Sequence, residues 1–451
     1  MKVKVWPAIF AMLFSFGAIA QENSFSLLQA QDYAVTNYYG VQSASLEVQK
    51  SKKILWENIS RGLPQINTAG NWTKNINLQT FVVEDPVSGE LAPLTFGTPY
   101  QAYGSITGEQ LIFDGSYIVA VMAADVLKEN SINELEKSEI DVKEQVAKSY
   151  HLVLVSDKTI EIIEDNLKYV KQNYQESKRM FEVGFMEEQD VDQLELIVSN
   201  LENNLVFAKK QSEIARMLLK FNMGIPVENE VILTDDIESL MLFSQDGGNL
   251  LDEQFNLEEN IDYRILLTQE EGQTLNVKNE NVQYLPKVKF NYLYNHNIFN
   301  ANANVFQGEM GVERADNIQQ NLAINVTLPI FTGGGRNARV QQAKISLDQV
   351  EIAKQQTADN LKVQHQTIKA EYEYALNSYF TQKRNVEISK KIRDVSAKKL
   401  AEGMVSSLEY TQAENQYQEA LRSVIDAANN VLDKKVQLEK ILGNYNKVRQ
   451  D

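Results

Sequence analysis

The chain has 451 residues, of which 43% are hydrophobic and 23% charged, a composition ordinary for a folded protein. Its formal net charge of −17 argues against a nucleic-acid partner, because phosphate binding requires a basic surface. Cysteine is absent, which excludes disulfide bonds and the attachment of a lipid through a thiol.

Residues 1–20 have the pattern of a secretory signal peptide. Lys2 and Lys4 precede an apolar run from Val5 to Phe16, and Ala18-Ile19-Ala20 is a small-x-small cleavage site. A membrane anchor is the alternative, but the run is short for one. After residue 20 no apolar stretch approaches the ~18 residues of a membrane helix. If the mature chain lies in a membrane, it must therefore be inserted as β-strands.

The first half of the chain begins with a helical pattern followed by two strand patterns. Helical periodicity over 24–62 ends at Leu63-Pro64, because the residue before a proline disfavours the helical conformation. Alternating apolar and polar residues then predict strands at 64–78 and 100–113, with a polar loop at about 84–99 between them. One face of these strands is apolar and the other is rich in asparagine. Such a pair fits either a half-exposed sheet or a membrane barrel.

A long helical hairpin follows the strands. The pattern from about 116 to 180 has the apolar spacing of a coiled coil and would be roughly 100 Å long at 1.5 Å per residue. Gly184 can adopt the left-handed conformation that lets the chain reverse. A second helix then returns and closes at Met223-Gly224. Residues 227–254 break the pattern and predict an irregular connector.

The second half repeats these landmarks. Gly184 and Gly403 are 219 residues apart, and Leu63-Pro64 recurs as Leu285-Pro286. Similar landmarks at nearly one shift indicate an internal duplication. The predicted division is a signal peptide at 1–20, a first repeat at 21–226 (β-hairpin 64–113, helical hairpin 116–222), a connector at 227–254, and a second repeat at 255–451 (helix to about 284, β-hairpin 286–331 with a loop at about 300–316, helical hairpin 336–443).

The strands cannot close a barrel within one chain. The four predicted strands would leave open edges, and an open edge cannot face lipid. Insertion therefore requires several copies: two would give eight strands and three would give twelve. The predicted helices are far longer than a bilayer is thick, so they must project into water.

The chain resembles the TolC-like outer membrane efflux protein family. The resemblance is carried by Leu63-Pro64-Gln65-Ile66, by Leu328-Pro329-Ile330-Phe331-Thr332-Gly333-Gly334, and by the two glycine-centred tips. It implies an α+β membrane protein with long coiled-coil helical hairpins and two β-hairpins per chain. It further implies a homotrimer with a 12-strand β-barrel in the lipid of the outer membrane and a 12-helix periplasmic tunnel. The implied partners are a periplasmic adaptor (membrane fusion) protein and an inner-membrane efflux pump or ABC exporter, with no cofactor.

The resemblance also assigns adaptor docking to the hairpin tips, where the family pattern is Gly-x-x-Ser/Thr-x-x-Asp-Val/Leu. Val405 and Leu400 stand where some relatives carry arginine and tyrosine pairs that close the aperture, so that lock is not expected here. Glu187 departs from the usual hydroxyl residue, and Tyr410 occupies the last position of the second tip. The docking residues so implied are Gly184, Glu187, Asp190 and Val191 in the first tip and Gly403, Ser406 and Glu409 in the second.

Four acidic residues near the first tip allow a further hypothesis. Glu187, Glu188, Asp190 and Asp192 would form an acidic ring at the tunnel mouth, which favours cations and is relaxed by contact with the adaptor. The alternative is an ordinary solvated helix start, where the helix dipole favours acidic residues.

Residue types that would support catalysis or metal binding are sparse. His151, His296 and His365 are far apart and lack metal-ligand spacing, which favours packing or surface roles. Gly333-Gly334-Gly335-Arg336 lacks the Lys-Ser/Thr of a phosphate-binding loop. The methionines near the tips are scattered, so we expect them to pack rather than to bind a soft metal; they are Met180, Met186 and Met404.

Three classes of function remain. The leading one is a passive outer-membrane exit duct of a tripartite efflux or type I secretion system. The alternative is a secreted or periplasmic coiled-coil structural or adaptor protein without a pore, which would have no need of amphipathic strand hairpins. An enzyme ranks third, because the sequence has no paired acid-base constellation.

Overall fold

The computed structural model describes residues 24–84, 89–242, 250–311 and 313–445. The predicted signal peptide, residues 1–20, lies outside the described residues. The chain divides into two compact units. The first unit comprises Met1–Tyr39, Asp141–Glu253 and Ile368–Lys440, and the second comprises Gly40–Ile140, Gln254–Thr367 and Ile441–Asp451.

Helices dominate the described residues. They are α1 (Leu27–Asn37), α2 (Tyr39–Ser60), α3 (Gly115–Glu182), α4 (Glu188–Met223), α5 (Ile237–Leu242), α6 (Ile261–Val282), α7 (Gly335–Ala401) and α8 (Ser407–Ile441). The longest, α3 and α7, have 68 and 67 residues. Within the ranges that the structure describes, no helix is both long and apolar enough to cross a membrane.

The strands are β1 (Ser24–Phe25), β2 (Gln65–Lys74), β3 (Gln79–Glu84), β4 (Leu91–Phe96), β5 (Tyr100–Phe113), β6 (Ile232–Leu233), β7 (Lys287–Asn300) and β8 (Arg314–Thr327). Helix α2, strands β2 and β5, and helices α3 and α4 follow one another along the chain. The same order recurs as α6, β7, β8, α7 and α8.

The first unit has its apolar core where four long helices pack together. Side chains of α3 and α4 form most of one buried cluster, to which Leu400 of α7 and Tyr410 of α8 also belong. At the other end of α4, Gly224 caps the helix with φ +74° and lies against the backbone carbonyl of Asn37. The core residues of the cluster on α3 and α4 are Leu167, Val170, Leu194, Ile197, Val198 and Leu201.

The second unit contains a four-stranded antiparallel sheet in the order β2-β5-β7-β8. Paired residues place their side chains on the same side of a sheet, so the register defines two faces. One side is the apolar face, which carries Ile66, Trp72, Ile106, Ile318, Leu322 and Ile324. The other is the polar face, which carries Asn67, Asn71, Ser105, Asn295, Asn317 and Asn321.

Two predictions about the first half were wrong in detail. The segment 84–99 is not only a loop, because β4 pairs with β3 and places Leu94 opposite Phe81. Pro93 lies within β4, where a two-stranded ribbon leaves an open edge that tolerates proline. The predicted helix over 24–62 is interrupted at Tyr38, whose backbone is extended. The chain thus has more strands than the four expected, although four of them form the main sheet.

Candidate functional site at the hairpin tips

The two helical hairpins of the first unit turn through the same backbone hydrogen bonds. At the first tip, the amide of Gly184 donates to Phe181 O at 2.9 Å, and the next amide donates to Met180 O at 2.9 Å. At the second tip, the amide of Gly403 donates to Leu400 O at 2.9 Å, and the next amide donates to Lys399 O at 2.8 Å. Both glycines have positive φ, +81° and +70°. The predicted left-handed glycine turns are confirmed.

Conformation, rather than space, requires glycine at both tips. A Cβ atom added to Gly184 or Gly403 would have no neighbour within 4 Å in the described part of the chain. The left-handed region, however, brings the Cβ of an L-residue too close to the following carbonyl oxygen. Any other residue would therefore strain the turn without meeting a steric obstacle.

The helices that leave the tips begin differently. Glu187 is the N-cap residue of α4, but its side chain makes no capping hydrogen bond. At the equivalent position before α8, Ser406 Oγ accepts a hydrogen bond from the Glu409 amide at 3.4 Å. With Glu187 as the N-cap residue, the first turn of α4 therefore has no side-chain cap.

The two tips are joined by polar contacts that the sequence did not reveal. Ser407 Oγ donates a hydrogen bond to the Asp190 carboxylate and lies 3.2 Å from Gln193 Oε1. Asn173 Nδ2 donates to the hydroxyl of Tyr410 at 3.0 Å. Ser407 and Tyr410 are both buried. Burial raises the pKa of the Tyr410 hydroxyl well above its usual range, so this group stays neutral.

The four residues of the hypothesised acidic ring differ in their surroundings. Glu187, Glu188 and Asp192 are exposed, whereas Asp190 is half-buried and bound to Ser407. Val191, which the family pattern places at the docking site, is buried with 7% of its surface exposed. Within one chain, Asp190 therefore joins the two tips and Val191 is covered, and the exposed acids are the ones available for contact.

Exposed apolar side chains at the tips were missed by sequence reasoning. Phe185 follows the first glycine and is 85% exposed, and Met404 follows the second glycine and is also exposed. The expectation that Met404 packs was wrong, while Met186 packs against the buried cluster as expected. The signal was present in the sequence, because both apolar residues directly follow the tip glycines.

A buried arginine links three helices behind the tips. The Arg393 guanidinium of α7 lies 3.9 Å from the ring centroid of Tyr169 and 4.3 Å from that of Tyr417. Its Nη1 donates to Asn166 Oδ1 at 3.0 Å, and Asn166 Nδ2 donates to Glu414 Oε1 at 2.8 Å. Cation–π contact and charge compensation together stabilise this burial.

The histidines occupy separate environments. His151 is buried, and neither ring nitrogen has a hydrogen-bond partner among the residues that the structure describes. His296 lies 3.2 Å from Asp316 Oδ2, and His365 stacks on Phe255 with the ring centroids 5.1 Å apart. In the described part of the chain, no group of three or more histidine, aspartate or glutamate side chains could hold a metal ion. Gly333 and Gly334 have positive φ and form the turn that precedes α7.

A family model described as outer membrane efflux protein matches residues 273–444. This match confirms the resemblance for that part of the chain. None of the curated proteins compared with the chain matches it.

Solved structures of outer-membrane proteins share the fold at low sequence identity. CusC has a TM-score of 0.74 at 15% identity, covering 92% of this chain and 91% of its own. VceC from Vibrio cholerae has a TM-score of 0.70 at 14% identity, covering 92% and 96%. The open state of the MtrE outer membrane channel of Neisseria gonorrhoeae has a TM-score of 0.71 at 15% identity, covering 92% and 88%. The fold of the chain is therefore that of outer-membrane channel proteins.

Proposed function

We propose that this chain, whose residues 273–444 match the outer membrane efflux protein family, is the passive exit duct of a tripartite efflux or type I secretion system. The sheet would lie in the outer membrane and the long helices in the periplasm. The observation that carries the proposal is a sheet with one exposed apolar face, one amide-rich face and two open edges.

The two faces of the sheet fit lipid on one side and water on the other. On the apolar face Leu322 is 71% exposed, and Ile318 and Ile324 are also exposed. Large apolar side chains exposed together on one face of a sheet are typical of a surface that contacts lipid or another protein. The asparagines of the polar face suit the lining of an aqueous lumen.

The edges of the sheet favour assembly. Strands β2 and β8 end the strand order, so one edge of each has no partner strand among the described residues. Unpaired backbone groups are too costly to place in lipid. Pairing of β8 with β2 of a further copy would satisfy both edges. A trimer, as the resemblance implies, would close a ring of twelve strands, three copies of four.

Helices α4 and α7 also carry rows of exposed apolar side chains. Phe207, Ile214 and Phe221 follow one another at intervals of seven residues on α4, and all three are exposed. On α7, Ile388 and Val395 are exposed at the same interval. Stripes with this period are typical of helix pairs that pack in coiled-coil fashion. We infer that neighbouring copies cover them and that the helices form the wall of a tunnel.

The division into two repeats, 21–226 and 255–451 with a connector at 227–254, is part of this proposal. The equal order of helices and strands in each half and the identical hydrogen bonding of the two tips support it. Duplication would give each copy two equivalent hairpins at the rim of the tunnel.

We further propose that the tips receive a periplasmic adaptor protein, which connects the duct to an inner-membrane efflux pump or ABC exporter. Phe185 and Met404 would supply apolar contact area, and Glu187 and Glu409 would supply charge at its margin. The ring of acidic residues is tested separately. Neutral substitutions at Glu187, Glu188 and Asp192 should lower the preference of the pore for cations, and an unchanged selectivity would refute the ring.

The native mass of the mature protein, extracted from membranes in detergent, tests the duct. Three copies, with material lost when the detergent is removed, are expected. A soluble monomer or a two-copy rod would overturn the proposal and favour a coiled-coil structural or adaptor protein without a pore.

A further inference from the structure

The loop between β7 and β8 has a defined fold in its described residues, 301–311 and 313. Asn300, at the end of β7, is fully buried. Its side-chain nitrogen donates hydrogen bonds to the carbonyl oxygens of Val305 at 3.1 Å and Gln307 at 2.6 Å. Two backbone bonds, Ala301 N to Glu313 O and Gly311 N to Arg314 O, close the base of the loop. The described residues of the loop therefore form a compact unit on the end of the sheet.

Side chains from both edge strands of the sheet, β8 and β2, hold this loop. Arg314, the first residue of β8, donates from Nη1 to Phe306 O at 3.0 Å. Trp72, on the opposite edge strand β2, donates from Nε1 to Ala303 O at 3.4 Å. Because β5 and β7 lie between β2 and β8, the loop extends across the sheet from one edge strand to the other.

The register shows over which face it leans. Lys74, Tyr100, Asn300 and Arg314 are paired in one row across the four strands. Trp72 lies two residues from Lys74 and therefore on the same side of the sheet. All three side chains that hold the loop thus belong to the apolar face. The loop folds over that face and is held away from the polar face.

The loop divides this end of the apolar face into a covered and an uncovered part. Ile298 of the sheet and Val305 of the loop are buried, as expected for two apolar side chains under a cover. Phe306 and Met310 of the loop are instead 69% and 63% exposed. Lys74 lies over the Tyr100 ring, 5.8 Å from its centroid. An apolar surface that ends in tryptophan, tyrosine and a cation is typical of the boundary between hydrocarbon and lipid headgroups.

We propose that residues 301–311 of this loop are a lipid-contact element, which places Phe306 and Met310 in the headgroup layer of the outer leaflet. The inference rests on the proposed insertion of the sheet in the membrane. The loop lies at the end of the sheet remote from the helices, because α2 precedes the start of β2 and α3 follows the end of β5. With the helices in the periplasm, this end faces the exterior. The loop would fix the height of the sheet in the membrane.

The absence of cysteine makes a direct test possible. Single-cysteine variants Phe306→Cys and Met310→Cys of the full chain would carry an environment-sensitive fluorophore in vesicles of phosphatidylcholine and phosphatidylglycerol. Two control variants carry the same label. Leu322→Cys reports the apolar face below the loop, and Gln319→Cys reports the polar face. Fluorescence is measured with nitroxide lipids labelled at the headgroup or in the acyl chain, and with iodide in the water.

Headgroup nitroxides should reduce the fluorescence at 306 and 310 several-fold more than at 319, while iodide should act mainly at 319. Strong iodide quenching at 306 and 310 without lipid quenching would overturn the loop proposal, provided that acyl-chain nitroxides quench the label at 322. Loss of quenching at 322 would instead refute the insertion of the sheet, and with it both proposals. Protection of 306 and 310 from lipid and iodide alike would assign the loop to a contact with a second copy and would also overturn the lipid contact.

Discussion

The Glu414 carboxylate lies 3.8 Å from the Arg393 guanidinium, and both side chains are almost fully buried in the first unit. Removal of one partner leaves the other as an uncompensated charge in a medium of low dielectric constant. We expect Arg393→Leu to lower the free energy of unfolding by about 3–5 kcal/mol, measured by chemical denaturation in detergent with helical circular dichroism as the signal.

The double variant Arg393→Leu/Glu414→Leu provides the control. Because neither charge then remains, it should be more stable than Arg393→Leu alone, despite carrying a second substitution. If the losses of the two single variants simply add in the double variant, the two charges do not interact, and the interpretation of a compensated pair is wrong.

Two glycines with the same backbone conformation should respond differently to substitution. Gly184→Ala introduces strain only, since φ is +81° and no atom lies near the added Cβ, and it should cost about 1–2 kcal/mol. Gly224→Ala adds a Cβ that would overlap the backbone oxygen of Asn37, which raises the expected cost to about 2–5 kcal/mol. Thermal unfolding of the two variants measures the difference. Equal unfolding midpoints would show that the end of α1 can move to accommodate the added Cβ without a loss of stability.

The uncapped start of α4 offers a stabilising change. Glu187→Asp keeps the charge but shortens the side chain to one that caps well, so the free energy of unfolding should rise by about 1 kcal/mol. The matched variant Ser406→Ala removes the cap of α8 and should lower it by a similar amount. Denaturation midpoints check both signs. A neutral or destabilising Glu187→Asp would mean that contacts within the tip, not capping, decide this position.

Two neighbouring residues of β8 test which face meets lipid. Leu322→Lys places a charge on the apolar face, where a lysine in lipid costs up to about 2–4 kcal/mol, and should reduce recovery of the protein from the membrane fraction. Asn321→Lys, one residue earlier on the polar face, should insert normally and alter only the conductance of the pore. The reverse result would exchange the lipid-facing and water-facing sides.

The elements set by local signals were predictable from the sequence. The long helices follow from apolar periodicity, and the tips follow from glycines that can adopt positive φ. The break at Tyr38 had only a weak signal, because the nearest glycine, Gly40, lies within α2 rather than at the break. Pro93 concealed β4, since a proline normally argues against a strand.

At the candidate site, the sequence predicted the local pattern of each tip but not the contacts between residues that are distant in sequence. Its glycines and acids were visible as a repeated pattern, but Ser407 contacts Asp190 across 217 residues. The partners of Arg393, Asn166 and Glu414, are likewise joined only by the packing of separate helices. A single sequence contains no direct signal for such pairs. Nothing in the residues around Arg393 indicates that its side chain is buried at the centre of a network.

His151 should make the first unit sensitive to acid. Burial, and secondarily the nearby Lys435, lowers the pKa of His151 to about 3, against about 6.5 in an unfolded chain. The unfolded state therefore binds a proton below pH 6.5 that the native state does not. The stabilising contribution of the neutral ring is complete above that pH and decreases by about 1.4 kcal/mol per pH unit as the pH falls towards 3.

Substitution His151→Leu removes this dependence, so the drop in unfolding free energy between pH 7 and pH 5 should be smaller by about 2 kcal/mol. Denaturation of the wild type and the variant at both pH values measures the difference, and His296→Gln, which retains His151, should keep most of the slope. An unchanged slope in His151→Leu would assign the acid sensitivity to other groups.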